Sequence, residues 1–329
     1  MTDRQAQIRS FLDGAGWGGA AIRLLAGDAS FRKYYRLDGP DGRAVLMDAP
    51  PPQEDVRPFV KIALHLADMG FSAPRILARD EAAGFLLLDD LGDDTYTRLL
   101  AAGRDEESLY ALAIDALAAL HRHPKALEID LPAYDDARLL TEALLLADWF
   151  MPAVGRPPDA AATADYQRIW LDLVPLARRV PDTIVLRDFH VDNLMLLDRP
   201  GLAACGLLDF QDAVAGPLTY DPMSLLEDAR RDIDPGLIAS MKDRYLQAMP
   251  HLDPADFERS WAVLAAQRHC KVIGIFTRLW KRDGKPIYLQ HIPRVWRLLE
   301  RACAHPALGA LRDWLDREVP PALRTAPRP

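Results

Sequence analysis

Cysteine is scarce in this 329-residue chain: Cys205, Cys270 and Cys303 stand far apart and form no C-x-x-C pair. The spacing excludes a thiolate metal cluster and a disulfide framework, and a reducing compartment is the simplest setting. Basic charge is in deficit as well, with 40 Lys and Arg against 48 Asp and Glu. Nucleic acid and anionic membrane both demand the opposite balance, so neither partner is expected, although single phosphate sites are compatible with an acidic chain. No apolar run approaches ~20 residues, so no membrane span is expected. Met1-Thr2-Asp3-Arg4-Gln5 holds no apolar signal core, and the chain is expected to be cytoplasmic. Internal repeats are lacking, and no obligate protein partner is implied.

What remains is an ordinary globular composition, 50% hydrophobic and 27% charged, long enough for one large or two modest domains. Residues 1–20 read as a short helix broken by Gly14 and Gly16. Strand candidates follow at 22–25, 33–37 and 44–48, separated by Gly27-Asp28-Ala29-Ser30 and by the turn-rich 38–42. A helix is expected over 56–69 and a strand over 84–88. After Gly92 the periodicity turns helical: Leu109, Leu112, Ala113, Ala116, Leu117 and Leu120 share one face. A further helix is expected over 136–150, a surface connection over 152–162, mostly helix beyond 226, and a frayed tail over 320–329. The pattern predicts an α+β, bilobal protein-kinase-like fold. Residues 1–92 form its small β-rich N-lobe, and 93–329 a larger, mainly helical C-lobe.

The chemistry concentrates in Arg187-Asp188-Phe189-His190-Val191-Asp192-Asn193 and, after a short apolar stretch, Leu207-Leu208-Asp209-Phe210. An Asp, an Asn five positions on and a second Asp after a strand are the parts of kinase-type phosphoryl transfer. Asp188 is the expected base, with Asn193 and Asp209 the expected Mg²⁺ ligands. A hairpin of the strands before Asp188 and before Asp209 would bring all three to one end. Loop Asp and Asn residues often serve turn chemistry alone, but three in this order favour the catalytic reading. His190 is read as orienting the loop and Asp192 as solvated. Asp221, followed by Pro222, reads as a helix N-cap with a supporting role for the catalytic loop.

Around the nucleotide, Ser30, Phe31 and Arg32 occupy the place of a phosphate-covering loop. The backbone of Leu88, Asp89 and Asp90 occupies the place of a hinge that pairs with an adenine edge. The lysine expected on the third strand is missing: Ala44-Val45-Leu46-Met47-Asp48 puts Met47 or Asp48 there. Three explanations stay open: another cation (Arg32 or Lys33 being nearest), reliance on the metals, or a dead site. The acceptor-side candidates are Arg187, Gln211, Asp212 and Tyr220 beside the catalytic loops, Glu142 on the helix over 136–150, and Lys271 and Arg278 from a basic stripe that also includes Arg268.

The Arg187–His190 and Asn193 residues with Leu208-Asp209-Phe210 resemble the aminoglycoside phosphotransferase-like small-molecule kinases, a superfamily that includes choline and homoserine kinases. Several further segments resemble one branch of it, the bacterial anomeric sugar kinases of cell-wall recycling. These are Gly27-Asp28-Ala29-Ser30-Phe31-Arg32, Leu46-Met47-Asp48-Ala49-Pro50-Pro51, Asp209-Phe210-Gln211-Asp212, Gln267-Arg268-His269-Cys270-Lys271 and Arg282-Asp283-Gly284-Lys285. The resemblance implies ATP and Mg²⁺ as cofactors and phosphorylation of N-acetylmuramate or N-acetylglucosamine at the C1 hydroxyl. It also implies that the Met-Asp-Ala-Pro segment in place of the strand lysine is native to the branch. Leu186 departs from the pattern, which has His before Arg-Asp. An aminoglycoside or amino-alcohol kinase and a regulatory pseudokinase are the alternatives.

Overall fold

A computed structural model describes residues 3–27, 31–39 and 42–328. In chain order the elements begin α1 (Asp3–Gly14), β1 (Ala21–Gly27), β2 (Lys33–Gly39), β3 (Gly42–Asp48), α2 (Arg57–Asp68), β4 (Ile76–Asp80), β5 (Phe85–Asp89), α3 (Tyr96–Ala101) and α4 (Glu106–Arg122). They continue with α5 (Asp136–Leu145), α6 (Met151–Ala153), α7 (Ala160–Ala177), β6 (Asp182–Val185), β7 (Leu194–Leu196), β8 (Cys205–Leu207) and β9 (Val214–Pro217). The chain then runs through α8 (Tyr220–Leu226), α9 (Pro235–Ala248), α10 (Pro254–Asp283), α11 (Ile292–Ala302) and α12 (Gly309–Glu318). The fold class is α+β, with strands dominating the first ninety residues and helices the rest. Residues 28–30 and 40–41, in the expected loop and turn, lie outside the described residues. No described helix is long and apolar enough to cross a membrane. The chain forms two compact units, Met1–Ala116 with Val191–Ala213, and Leu117–His190 with Val214–Pro329.

The first unit is built on an antiparallel sheet in the order β1-β2-β3-β5-β4. Strand alternation puts Leu37, Ala44, Leu46, Phe85 and Leu87 on one face, where Ile8 and Leu12 of α1 complete the core. Val45, Met47, Leu86 and Leu88 are buried too. The central strands therefore read as unbroken apolar runs, as strands covered on both faces do. Arg4 clasps α1 to the sheet: Nη2 donates to Asp48 Oδ1 (2.6 Å), Nη1 to the Ala83 carbonyl (2.8 Å), and the guanidinium lies 3.9 Å over the Phe85 ring. Asp48 is thereby occupied structurally and Met47 belongs to the core. The strand position of the missing lysine thus carries no cation.

The second unit centres on α10, thirty residues long and packed against α5, α7, α8 and α11. Its Gly274 lies against the end of α5, where a Cβ would meet the Leu145 carbonyl carbon and oxygen at 2.3 Å. Only a residue without Cβ permits this approach. Immediately beyond Leu145 the helix widens into a π-turn, Leu146–Phe150. Helices α3 and α7 were not resolved by the periodicity, and residues 152–162 are partly helical rather than a plain connection. The tail over 320–328 is held rather than frayed: Arg324 donates to Glu300 (2.7 Å), Asp316 (2.5 Å) and the Val319 carbonyl (2.9 Å).

One expected hairpin does not form. The strand before Asp188, β6, pairs with β9, and the strand before Asp209, β8, pairs with β7. The apolar Leu194-Met195-Leu196 segment directly after Asn193 is itself a strand, and it takes the partner assigned to β6. Gly206 faces the Met195 side chain in that pair, with no room for a Cβ.

Candidate active site

In the first unit a cavity of about 330 Å³ is lined by Leu25, Tyr34, Val45, Phe59, Pro74, the 88–92 segment, Asn193, Met195, Leu208 and Asp209. Its walls are mainly apolar, and Asn193 and Asp209 supply a polar end. Asp209 has φ +57°, a left-handed conformation that Asp tolerates better than most residues but that still costs about 1–2 kcal/mol. Two anchors hold it. Leu208 donates its N–H to the Asn193 carbonyl (2.9 Å), and Phe210, fully buried, stacks on Phe59 of α2 with ring centroids 4.9 Å apart. Asn193 Nδ2 lies 3.4 Å from Asp209 Oδ2, Gln211 Nε2 donates to Asp209 Oδ1 (2.9 Å), and Arg32 Nη2 is 3.6 Å from that oxygen.

The 88–92 segment is pinned from beneath. Arg36, buried, donates to both Asp93 carboxylate oxygens (2.8 and 2.9 Å), to Asp90 Oδ1 (3.0 Å) and to the Gly92 carbonyl (2.8 Å). Asp90 and Asp93 hold that charge in place against the cost of its burial. The Asp89 N–H donates to the Arg75 carbonyl (2.9 Å), so it is committed within the protein.

In the second unit the loop after β6 turns at Arg187, whose φ is +70°. The buried Asp221 carboxylate sets that turn, accepting the Leu186 N–H (2.6 Å) and the Arg187 N–H (2.9 Å). Asp221 lies inside α8, and the N-cap position falls to Thr219. The N-cap expectation is corrected, because the carboxylate caps the loop after β6 instead of its own helix. Burial pushes the Asp221 pKa up to about 7, two backbone N–H groups oppose the shift, and the Asp188 charge adds to it. The Leu186 side chain is buried, and its backbone draws the support that the missing His cannot give.

The same unit holds a charged hub at Glu142 of α5. Its carboxylate pairs with Arg187 Nη2, with Lys271 Nζ (3.0 Å) and with Gln267 Nε2 (3.3 Å), and accepts the Tyr134 hydroxyl. Burial drives the Glu142 pKa up, but Lys271 and Arg187 pull harder together and leave it at about 2. Lys271 Nζ is also 3.4 Å from the Tyr220 hydroxyl, and Tyr134 meets Tyr220 edge-on at 5.2 Å. A cavity of about 100 Å³ is lined by Asp188, Tyr220, Arg230, Arg268 and Lys271, with Val272, Ile275 and Phe276 on its apolar side.

Comparison with known proteins fits this arrangement. The profile of the phosphotransferase enzyme family matches residues 21–259. An N-acetylmuramate/N-acetylglucosamine kinase of Pseudomonas aeruginosa is 44% identical over 91% of this chain and 90% of its own. One of Caulobacter vibrioides is 39% identical over 97% and 98%. The chain belongs to the phosphotransferase enzyme family. Two solved structures share the fold of this phosphotransferase. They are the GDP complex of aminoglycoside 2'-phosphotransferase-IIIa (TM-score 0.63, 14% identity, 92% of this chain and 99% of that one) and a choline/ethanolamine kinase family protein of Mesorhizobium loti (TM-score 0.61, 14% identity, 95% and 99%).

The structure of this phosphotransferase gathers Arg32, Asn193, Asp209 and Gln211, with Asp212 beside Gln211 (3.4 Å), in one unit. In the other it gathers Asp188, Glu142, Arg187, Tyr220 and Lys271. Arg278 lies two helical turns beyond Lys271 and lines neither cavity. Ser30 lies outside the described residues; Phe31 is exposed, its N–H on Glu54 Oε1 (3.0 Å). Asp192 is not simply solvated, since it accepts the Thr97 hydroxyl. Sequence reasoning missed Tyr134, Gln267 and Arg230, whose roles come from partners far along the chain. No group of three or more His, Cys, Asp or Glu among the described residues is arranged to hold a metal. A carboxylate beside an amide nonetheless fits Mg²⁺, a hard ion that keeps its waters and takes few protein oxygens beside substrate phosphates. An apolar cavity ending in these two oxygen donors fits a purine nucleotide likewise.

Proposed function

We propose that this phosphotransferase is an ATP-dependent sugar kinase acting on the anomeric C1 hydroxyl of N-acetylmuramate, N-acetylglucosamine or both. Relatives 37–44% identical over at least 85% of the chain, all named N-acetylmuramate/N-acetylglucosamine kinase, carry the reading. The composition of the smaller cavity supports it, because three cations face one carboxylate there. A polycationic aminoglycoside or a quaternary amine calls for acids in that place.

Residues 1–92 supply the nucleotide-covering segment, and 93–329 the catalytic loop, metal ligands and sugar site. Asp188 accepts the proton of the C1 hydroxyl and aims its oxygen at the γ-phosphorus. The bond formed joins that oxygen to phosphorus, and the bond broken frees ADP. Asn193 and Asp209 would hold Mg²⁺, which would supply charge neutralisation at the phosphates. Arg32, beside Asp209, stands in for the absent strand lysine, with Phe31 on the phosphate-covering segment. Asp90 and Leu91 offer their backbone to the adenine edge. Glu142, Arg187, Tyr220 and Lys271 shape the sugar site, with Tyr220 as its flat platform. Positioning and electrostatics supply most of the acceleration.

Asp188→Asn is expected to lower turnover by about 10³-fold or more while ATP still binds. Phosphorus NMR of the wild-type product is expected to show a sugar 1-phosphate. Undiminished turnover in the variant, or phosphate on any other hydroxyl, rejects the assignment.

A further inference from the structure

Arg268 of α10 is 5% exposed, and its Nη1 has no hydrogen-bond partner among the described residues. A buried guanidinium donor left without an acceptor is costly, so its position needs a reason. It lines the cavity of about 100 Å³ that Asp188 also lines, together with Val272, Ile275 and Phe276, which follow it along one face of α10 at i+4, i+7 and i+8. The other cation of α10 at this cavity, Lys271, is already neutralised by Glu142 at 3.0 Å. Arg278, the remaining candidate of the stripe, is absent from the lining. An anion entering the cavity therefore meets Arg268 as the donor with unused capacity. The volume suits a short alkyl carboxylate, about the space of three waters. Its alkyl part would face Val272, Ile275 and Phe276 and its charge the guanidinium.

From this arrangement we infer that Arg268 is the specificity-determining residue for an acidic acceptor, receiving the carboxylate of a lactyl-type substituent on the sugar. The inference rests on the proposed sugar-kinase reading and names the residue that separates its two sugars. A transferring phosphoryl group is the other anion that could claim the same donor. The apolar flank and the absence of metal ligands from this cavity's lining favour the carboxylate.

The test compares wild type, Arg268→Gln and Arg268→Lys in kcat/KM for N-acetylmuramate and N-acetylglucosamine, with D-lactate binding by calorimetry alongside. In Arg268→Gln the muramate-to-glucosamine ratio of kcat/KM is expected to fall about 10- to 100-fold, with partial recovery in Arg268→Lys. A ratio that stays constant, whether both sugars suffer or neither does, overturns the inference and assigns Arg268 to phosphoryl contact or packing. If wild type uses neither sugar, the sugar-kinase reading fails and D-lactate decides the anion site separately. Binding lost in Arg268→Gln then sustains the site, and absent or equal binding in both proteins overturns it.

Discussion

Replacing Asp221 by Asn separates what its carboxylate does for stability from what it does for the loop that carries Asp188. The unfolded carboxyl titrates near ~3.9, and in the folded protein burial moves it up to about 7. Between those values the folded state holds a proton that the unfolded chain has lost. Stability from this group is therefore fully present below about pH 4, falls by about 1.4 kcal/mol per pH unit, and levels off above about 7. The whole span is about 4 kcal/mol, and the window from pH 5 to 7 accounts for about 2.3 of it, because the folded group is half-titrated at pH 7. Asn cannot titrate and resembles the neutral acid in shape. The stability of wild type minus that of Asp221→Asn should thus decline by about 2–3 kcal/mol from pH 5 to pH 7. Every other titrating group is common to both proteins and drops out of the difference.

Catalysis should move the opposite way. The carboxylate accepts the amides of Leu186 and Arg187 at 2.6 and 2.9 Å. Asn presents one acceptor and one NH₂, so one of those N–H groups loses its partner beside a backbone already held at φ +70°. A displacement of the loop by a fraction of an ångström would cost turnover about 10- to 100-fold. Urea unfolding at pH 5, 6 and 7 with kcat at pH 7 measures both effects. Parallel pH–stability curves, or wild-type kcat in the variant, would refute the reasoning.

Two further substitutions probe the packing behind the site. Glu142→Ala strands Arg187 and Lys271 as buried cations and should cost about 3–5 kcal/mol in urea unfolding; a loss under 1 kcal/mol would mean the hub is solvated. In wild type the Glu142 contribution is present above its unfolded pKa and lost as pH falls through about 2, so acid unfolding of the two proteins should converge near that pH. Gly274→Ala drives a Cβ to 2.3 Å from the Leu145 backbone and should lower stability by about 3 kcal/mol, with a higher sugar KM because α5 carries Glu142; an unchanged denaturation midpoint would show that α5 yields freely.

Much of this was legible from local pattern. The strands β1, β2, β3 and β5 follow from short apolar runs between turn residues, whereas β4 was not expected; Asp188, Asn193 and Asp209 stand out as candidates because their proposed chemistry demands an order and a spacing. Pairing was not legible. The strands β6 to β9 are three or four residues long, and which of them pair is decided by burial and not by propensity. Hence the Asn193 side gained β7, which nothing in the hydrophobic pattern separated from a loop. Asp221 shows the same limit, since Asp-Pro at a helix start carries the signature of an N-cap while tertiary packing assigns its carboxylate to a loop thirty-five residues earlier. Arg268 was visible only as one member of a basic stripe. That it differs from Lys271 depends on Glu142, far away in sequence.

Among the described residues, left-handed backbone at a non-glycine position occurs at Arg187 and Asp209 alone, and both flank proposed catalytic groups. Such strain persists only where surroundings over-determine it. At Asp209 the backbone is anchored mainly by packing: Phe210 is driven into the Phe59 stack, and a single hydrogen bond ties Leu208 to the Asn193 carbonyl. At Arg187 they are ionic, with Asp221 gripping its amide and Glu142 its guanidinium. The two devices respond to different perturbations. Acid and carboxylate substitutions act on the Arg187 turn, whereas cavity-forming substitutions around Phe59 act on the Asp209 turn. A loop whose proposed base must be aimed within a few tenths of an ångström has reason to be set by charge, because hydrogen bonds fix direction where apolar contact fixes only distance. Asp209, proposed to hold a metal ion with mobile waters, tolerates the looser anchor.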